Sequence, residues 1–308
     1  MSEASLAPAT AELAGPVWGG DGVLTAPAPA KLNRFLHITG RRADGMHELQ
    51  TLFQFLAWGD RLRFELLEAP RIERVAEVPG VPAETDLILR AARLLAERTG
   101  YGGGMRVAVD KHLPLGGGLG GGSSDAATTL LVLNRLWGTG LGRAELAALG
   151  AELGADVPVF IAGSAAWAEG VGERLTPVPE VAEPWFLVVW PRGVQVDTGR
   201  AFRDPNLTRQ HPLVTIEDFS RGRCGNDFAA VVERQYPDIA RVREWLDRHA
   251  PTPGRLTGSG ACLFAVCTSR AEAVALRSQV PEAWGAGVAR GCNRHPLADW
   301  AFPDAAPA

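Results

Sequence analysis

Cysteine is scarce in this 308-residue chain, and the few cysteines present lack the spacing of a metal site. The four form no CxxC pair, and no paired histidines stand at the spacing that zinc sites use. The pattern therefore predicts reduced, structural thiols, as is usual in the cytoplasm, at Cys224, Cys262, Cys267 and Cys292.

Long apolar runs and blocks of one charge are missing as well. No stretch approaches the roughly 18 apolar residues that span a bilayer. The N-terminal segment also lacks the basic and apolar regions of a signal peptide. The net charge is −4 and the pI is about 5.9, without blocks of Lys and Arg. We therefore expect a cytoplasmic protein with a small-molecule partner and neither nucleic acid nor membrane as partner, although one pocket can still be positive.

What is present is an ordinary globular composition, with 46% hydrophobic and 21% charged residues. The length favours two domains, and the proline-rich stretch PVPEVAEPW suggests a boundary between them. We expect domains at residues 23–182 and 183–300, with a disordered extension at 1–22 and a tail at 301–308. Strands, the first from about Lys31, alternate with helices but not in strict βαβ repeats, which predicts an α+β (mixed α/β) class.

The most unusual stretch contains six glycines in the seven positions 116–122. It follows an alternating strand pattern, MRVAVD, and precedes the helical pattern SSDAATTLLVLNRL. We expect Ser123 or Ser124 to cap this helix and Asp125 to lie in its first turn. A strand, a glycine loop and a helix N-terminus together form an anion site, and phosphate is the obvious guest. The alternative is a flexible spacer, which would not normally stand between a strand and a capped helix.

Two standard phosphate loops fit this stretch poorly. A Walker A loop needs a lysine after its last glycine, but Ser123 follows Gly122. The pattern GxGxxG does occur, at Gly116, Gly118 and Gly121, yet no acidic residue follows about 20 positions later to hold a ribose. A dinucleotide site, and with it an oxidoreductase, is therefore disfavoured.

Three motifs resemble those of the GHMP small-molecule kinases, in the same order along the chain. They are PAKLN at 29–33, LTGSGAC at 256–262, and between them a phosphate-loop sequence. The resemblance implies a two-domain fold, with an N-terminal ATP-binding α/β domain, a C-terminal ferredoxin-like domain and the active site in the cleft between them. It also implies that ATP, accompanied by Mg²⁺, is bound by the loop residues Pro114, Leu115, Gly116, Gly117, Gly118, Leu119, Gly120, Gly121, Gly122, Ser123 and Ser124.

Two further stretches are similar to one branch of these kinases. They are ITGRRADGMHELQT at 38–51 and GADVP at 154–158. This resemblance implies phosphorylation of the 2-hydroxyl of 4-diphosphocytidyl-2-C-methyl-D-erythritol, a cytidine diphosphate-linked sugar alcohol of the non-mevalonate isoprenoid pathway. A homoserine or mevalonate type of kinase, or a nucleotide-binding protein without catalysis, remains the alternative.

The resemblance also implies roles for three polar residues. Asp156 matches the catalytic aspartate, the general base that accepts the proton of the substrate hydroxyl. Lys31 matches the lysine that lies beside that aspartate, and Asn33 would form a hydrogen bond nearby. From the local sequence alone, a helix-capping aspartate and a solvated lysine are the more common interpretations of these positions.

The same resemblance assigns residues to the cytidine end of the substrate. His47 would bind the cytosine edge, and Phe202 would stack on the ring. Without the resemblance, a histidine in a surface turn is the more common interpretation, and a core phenylalanine fits position 202 equally well. Met46 stands where many members carry a stacking aromatic residue, and its thioether can still cover the ring.

The third motif and the metal receive only general assignments. The resemblance implies that the glycine loop packs against the phosphate loop and helps to enclose the substrate through Thr257, Gly258, Ser259 and Gly260. The protein ligand of Mg²⁺ is not identified by any motif, and Ser123 or Ser124 would offer a hydroxyl.

Overall fold

The computed structural model describes residues 13–303, and within that range it has eleven strands and ten helices. The strands are β1 (Val17–Trp18), β2 (Leu24–Arg41), β3 (His47–Leu67), β4 (Ile72–Arg74), β5 (Gly104–Asp110), β6 (Ala166–Glu169), β7 (Arg174–Pro177), β8 (Trp185–Pro191), β9 (Arg255–Leu256), β10 (Leu263–Cys267) and β11 (Trp284–Cys292). The helices are α1 (Leu87–Thr99), α2 (Gly121–Leu136), α3 (Arg143–Leu153), α4 (Val157–Ala162), α5 (Thr198–Arg203), α6 (Ile216–Ser220), α7 (Ala229–Gln235), α8 (Pro237–His249), α9 (Arg270–Arg277) and α10 (Ala298–Ala301).

A long antiparallel pair, β2 and β3, forms the backbone of the first half. Its register runs from Leu24 opposite Phe64 to Arg41 opposite His47, with two shifts that flank residues 31–33, after Pro29 and after Asn33, and a third after Ile38. Such irregularities re-aim side chains. The segment between the two shifts carries Lys31 and Asn33, which both face the site described below.

Helices α1 to α4 cover the apolar face of this sheet. Helix α1 begins where the Asp86 carboxylate accepts a hydrogen bond from the Ile88 amide, and it ends at Gly100 in the left-handed conformation. Helix α2 is apolar on most sides and is buried along nearly its whole length from Ser124 to Asn134. It therefore forms the centre of the first core, between α1, α4 and the β2–β3 pair.

The second half is a smaller antiparallel sheet covered by α7, α8 and α9. Strand β8 lies between β10 and β11, with Leu187 opposite Ala265 on one side and Val288 on the other. Strand β11 then continues onto β3, where Gly291 lies opposite Leu56. One continuous sheet thus joins the two halves, in the order β1-β2-β3-β11-β8-β10-β9.

The α+β class predicted from the sequence is confirmed by this arrangement of helices and strands. The first long strand was expected from about Lys31 but begins at Leu24, because two prolines at the edge did not prevent pairing with β3. Of the extension expected to be disordered, residues 1–12 lie outside the described residues, whereas Val17 and Trp18 pair with β2. In the expected tail, residues 304–308 also lie outside the described residues, and Ala301 belongs to α10. The two domain ranges stay predictions.

Candidate functional site

A cavity of about 830 Å³ opens between the N-terminus of α2, the β2–β3 turn and the loop after β9. It brings together residues that lie up to 229 positions apart in the chain, from Lys31 to Gly260. Its lining includes predicted site residues from all the motifs, namely Lys31, Asn33, Met46, His47, Gly116, Gly118, Ser123, Asp156, Phe202, Gly258, Ser259 and Gly260.

An ion pair between Lys31 and Asp156 lies on the wall of this cavity. The Lys31 Nζ atom is 3.1 Å from the Asp156 Oδ2 atom, and it donates a hydrogen bond of 2.6 Å to the Asn33 Oδ1 atom. Lys31 is only 2% exposed, so both partners are needed to offset the cost of burying an ammonium group. The Asp156 side chain is one-third exposed, which leaves the carboxylate open to a molecule in the cavity.

Asp156 stands at the N-cap position of α4, as the sequence pattern GADVP allows, but its side chain makes no capping hydrogen bond within the described chain. The carboxylate instead turns to Lys31. Because Pro158 occupies the first turn of α4, one backbone donor is already absent there, and the loss of a cap costs less. The plain capping interpretation of Asp156 therefore does not describe its contacts.

Asn33 is the residue that ties Lys31 to the rest of the site. Its amide Nδ2 atom donates to the Thr51 Oγ1 atom at 3.0 Å, so its Oδ1 atom is directed at the Lys31 ammonium. Its backbone N–H donates to the Thr257 Oγ1 atom at 2.9 Å, across 224 positions of sequence. Asn33, Thr51 and Thr257 are all buried, and they hold β2 and the loop after β9 in a fixed relation.

The glycine stretch wraps around the entrance to α2. Gly116, Gly118 and Gly120 have positive φ angles, a conformation that other residues adopt at a cost. A Cβ atom on Gly118 would lie 2.3 Å from the Thr257 carbonyl oxygen, and one on Gly120 would lie 3.0 Å from Lys31. Glycine is required at both positions because neighbouring groups occupy the space of a side chain.

The helix start differs from the sequence prediction. Helix α2 begins at Gly121 with Gly120 as its N-cap, and within the described chain no side chain caps it. The predicted caps are wrong because Ser123 and Ser124 already lie inside the first turns, and Asp125 lies beyond the first turn. The glycines themselves take the chain into the helix, which leaves the first amides of α2 without an internal acceptor.

The predicted loop residues divide into two groups in the structure. Gly116, Gly118 and Ser123 line the cavity. Leu119 is buried in the core, and its carbonyl accepts a hydrogen bond from the Lys31 amide at 2.9 Å. The remaining members do not line the cavity as it stands; they are Pro114, Leu115, Gly117, Gly120, Gly121, Gly122 and Ser124.

A buried cluster of charged side chains holds in place the segment that leads into the glycine stretch. The Lys111 Nζ atom donates to Asp125 at 2.8 Å and to Asp60, whose other oxygen accepts from the backbone amides of His112 and Leu113. Burial and the neighbouring Asp60 raise the pKa of the Asp125 carboxyl to about 7. Asp125, expected at the helix entrance, therefore braces the chain before the loop.

The glycine loop after β9 packs directly on the phosphate-loop sequence. The Cys262 amide donates to the Gly117 carbonyl at 3.1 Å, and the Asn226 side chain holds the carbonyls of Leu256 and Gly258 at 2.9 Å each. Ser259 shares a hydrogen bond of 2.7 Å with Thr198 at the start of α5. Thr257 is fully buried and does not line the cavity, whereas Gly258, Ser259 and Gly260 do.

The far end of the cavity carries an aromatic pair. The rings of His47 and Phe202 stack with their centroids 4.6 Å apart, and Phe202 in turn contacts Phe228 edge-on. Burial, together with Arg209 and Arg41, lowers the pKa of His47, so its ring is neutral at ordinary pH. Its Nε2 atom is buried without a hydrogen-bond partner in the described chain. Met46, beside it, is 51% exposed.

Sequence reasoning predicted an anion site but missed the arginines that make this cavity positive. Arg41, Arg203 and Arg209 line it together with Lys31, against the single carboxylate of Asp156 among the lining residues. Isolated arginines give no spacing signal, and the net charge of −4 conceals a local excess of positive charge. The cavity therefore suits a ligand with several negative charges.

Comparison with known proteins agrees with this geometry. A model of the GHMP kinases N terminal domain matches residues 86–164, and a model of the GHMP kinases C terminal domain matches residues 207–286. The cavity is lined by residues from both matched regions, including Asp156 and Gly258. Within residues 13–303, none of the helices has the length and apolar character needed to cross a membrane.

Individual relatives are similar over most of their length. A 4-diphosphocytidyl-2-C-methyl-D-erythritol kinase of Burkholderia orbicola is 53% identical over 282 residues, which cover 88% of this chain and 94% of the relative. The kinase of the same name from Nitrosococcus oceani is 52% identical over 90% of this chain and 98% of its own. A crystal structure of 4-(cytidine 5'-diphospho)-2C-methyl-D-erythritol kinase matches with a TM-score of 0.73 at 34% identity, over 87% of this chain and 100% of that one. The sequence resemblance is thus confirmed, and the chain belongs to the 4-diphosphocytidyl-2-C-methyl-D-erythritol kinase family of GHMP kinases.

Proposed function

We propose that the protein transfers the γ-phosphoryl group of ATP to the 2-hydroxyl of 4-diphosphocytidyl-2-C-methyl-D-erythritol. ATP use follows from the family, and the names of the relatives support this acceptor. The observation that carries the proposal is the Lys31–Asp156 pair, which faces the cavity beside the glycine stretch. In the reaction, the acceptor oxygen bonds to the γ-phosphorus, the bond from that phosphorus to the β–γ bridging oxygen breaks, and ADP leaves.

Asp156 serves as the general base in this proposal. Its exposed carboxylate accepts the proton of the attacking hydroxyl, and the hydroxyl oxygen is then free to bond to phosphorus. Lys31, directed by Asn33, orients that carboxylate and stabilises negative charge that develops on the reacting oxygens. Because Lys31 is buried and hydrogen-bonded, little reorganisation is needed during the reaction.

The glycine stretch holds the phosphates of ATP. Gly116 and Gly118 line the cavity and carry no side chains that would keep a phosphate away from the backbone, and the uncapped start of α2 adds its positive dipole end. If Mg²⁺ is bound with ATP, it would supply neutralisation of negative charge on the phosphates. Ser123 is the better ligand of the two serines, because its residue lines the cavity, whereas Ser124 is fully buried. A hydroxyl oxygen is the hard type of ligand that Mg²⁺ prefers.

The aromatic end of the cavity receives the cytidine. The His47 side chain lines this end and is the residue proposed to bind the cytosine edge, and Phe202 and Met46 offer flat and polarisable surfaces to its ring. Arg41 and Arg209 lie beside them and suit the diphosphate of the substrate.

The test is ADP release with MgATP and 4-diphosphocytidyl-2-C-methyl-D-erythritol, measured beside homoserine and mevalonate. We expect turnover with the cytidine substrate alone, and a loss of about 100-fold or more in kcat for Asp156→Asn. Asp238→Asn, at an exposed pair with Arg241, is the matched control and keeps wild-type turnover. Turnover with homoserine or mevalonate would reassign the acceptor, and ATP binding without turnover on any of the three would contradict the kinase proposal.

A further inference from the structure

A second cavity, of about 900 Å³, lies on the other side of β2 from the candidate site. Successive side chains of a strand point to opposite faces. Accordingly, Asn33 lines the first cavity and Arg34 lines the second. Most of the second lining is apolar and comes from the segment between β7 and β8, from α6 and from β10; it includes Val178, Val181, Ile216, Phe219, Phe264 and Val266.

Two arginines, Arg34 and Arg255, share the lining of this second cavity. The Arg34 guanidinium donates to the Gln54 side chain and lies over the rings of Phe186 and Phe219, at 4.9 and 5.4 Å from their centroids. Arg255 reaches the Cys224 carbonyl at 3.4 Å. All of these partners are neutral, so none of them balances the two positive charges.

Within residues 13–303, no ion pair of 4.0 Å or less joins either guanidinium to a carboxylate. Glu180 is the one acidic residue in the lining of the cavity, and it pairs with neither arginine. Burial and the neighbouring charge of Arg255 lower the pKa of Arg34 to about 10. Two like charges beside an apolar cavity destabilise the folded chain unless an anion joins them.

We propose that this second cavity binds a small organic anion, whose charged group bridges Arg34 and Arg255 and whose apolar body lies against Phe219 and Val181. The head group is a phosphate monoester, a sulfonate or a carboxylate, because each presents oxygens that two guanidinium groups can share. The apolar walls require a hydrocarbon or aromatic body, since a free inorganic anion would leave them without a contact.

The kinase reaction does not account for these arginines. Neither lines the first cavity, and neither contacts Lys31 or Asp156. Both nevertheless adjoin residues of that site in sequence, Arg34 beside Asn33 and Arg255 two positions before Thr257. A ligand in the second cavity would therefore contact β2 and β9 next to the residues that the Asn33–Thr257 hydrogen bond joins.

The probe for this site is 8-anilinonaphthalene-1-sulfonate, a fluorescent sulfonate on an aromatic body, titrated into the full-length protein. We expect one site per chain and an affinity at least tenfold weaker in Arg255→Gln and in Arg34→Met. The second change keeps an unbranched apolar side chain over the two phenylalanine rings. Arg241→Gln, at an exposed arginine on α8, is the matched control and binds as the wild type does. The unfolding midpoints of all variants are measured beside the titrations.

Competition identifies which cavity the probe occupies and which part of the ligand matters. Hexyl phosphate should displace the probe at least tenfold more effectively than hexanol or inorganic phosphate alone, and cytidine 5'-diphosphate and MgATP should not displace it. Equal binding by the wild type and a folded Arg255→Gln variant would overturn the proposal. Displacement by cytidine 5'-diphosphate, or equal competition by hexanol and hexyl phosphate, would overturn it as well.

Discussion

Lys31 and Asp156 form an ion pair, 3.1 Å between Nζ and Oδ2, in which the two partners differ sharply in exposure. The lysine side chain is 3% exposed and the aspartate side chain 33%. The buried cation is held by Asn33 as well, while the carboxylate keeps one side toward the cavity. In the proposed reaction, an entering substrate would meet an Asp156 carboxylate whose position is already fixed by the buried Lys31 ammonium.

The pair predicts a strongly non-additive double-mutant cycle. Lys31→Met and Asp156→Asn should each lower kcat by about 100-fold or more, because each removes one of two side chains that act together in the proposed reaction. The double variant should be no more than about tenfold worse than either single one, since residues that act as a unit share one loss. The cycle is measured as kcat and KM for both substrates in all four proteins. Losses that multiply in full would show that the two residues act separately.

Gly118 provides a test of the phosphate loop. In Gly118→Ala, the new Cβ atom would meet the Thr257 carbonyl at 2.3 Å, so the two loops must part. We expect KM for ATP to rise at least tenfold and the free energy of unfolding to fall by more than the 1–2 kcal/mol, roughly, that a positive φ angle costs alanine.

Gly138→Ala is the matched control for this change. Gly138 has a similar φ angle of +64°, against +77° at Gly118, but a Cβ atom there meets nothing within 4 Å. In Gly138→Ala, the free energy of unfolding should therefore fall only by the cost of the positive φ angle, about 1–2 kcal/mol, and KM for ATP should be unchanged. Urea unfolding and initial-rate kinetics measure both quantities. Equal effects of the two substitutions would mean that the contact with Thr257 is unimportant.

Much of the fold was accessible from the sequence because its signals are local. The apolar periodicity of residues 87–99, followed by Gly100, is a local signal for α1, and Gly170 and Gly172 are local signals for the turn between β6 and β7. The length of β2 was underestimated, since its pairing with β3 comes from tertiary contacts rather than local preference. The start of α2 was misplaced because glycine, and not serine, occupies the N-cap.

The site was accessible only through motifs. Lys31, Asn33 and Asp156 have common local interpretations, and nothing in their own segments indicates that they meet. The hydrogen bond from Asn33 to Thr257 spans 224 positions, which no periodicity describes. Arg41, Arg209 and the pair Arg34–Arg255 gave no signal at all, because an arginine is usually a surface residue.

Met46 predicts a gain of affinity on substitution. It is half exposed at the aromatic end of the cavity, next to His47. In Met46→Phe, an aromatic ring replaces a flexible thioether, and stacking on cytosine adds about 0.5–1.5 kcal/mol. We therefore expect KM for the cytidine substrate to fall about two- to tenfold while KM for ATP is unchanged. The control is Leu213→Phe, because Leu213 is 71% exposed. Met105→Phe is unsuitable as a control because Met105 is buried. A raised KM would place the cytosine elsewhere.

His37 predicts a fall in stability at mildly acidic pH. It is 1% exposed, its Nε2 atom accepts the Gly225 amide at 3.1 Å, and its ring stacks on His211 with centroids 3.5 Å apart. Burial, followed by the charge of His211, lowers the pKa of His37 from 6.5 to about 4, although Asp227 acts in the opposite direction. Protonation of Nε2 would replace the acceptor of the Gly225 N–H by a second N–H group, so the folded protein accommodates the imidazolium poorly.

The sign of the effect follows from proton binding. Between pH 6.5 and about 4, this histidine carries a proton in the unfolded chain but not in the folded chain. The free energy of unfolding therefore decreases as the pH falls through this range. The loss from pH 7 to pH 5 is about 2 kcal/mol for a shift of this size. Urea unfolding at both pH values measures it. His37→Gln, which keeps an acceptor for Gly225, should flatten the dependence, whereas His112→Gln, at a partly exposed histidine, should not. An unchanged slope in His37→Gln would assign the acid sensitivity to another group, such as the fully buried His295, whose pKa burial lowers to about 3.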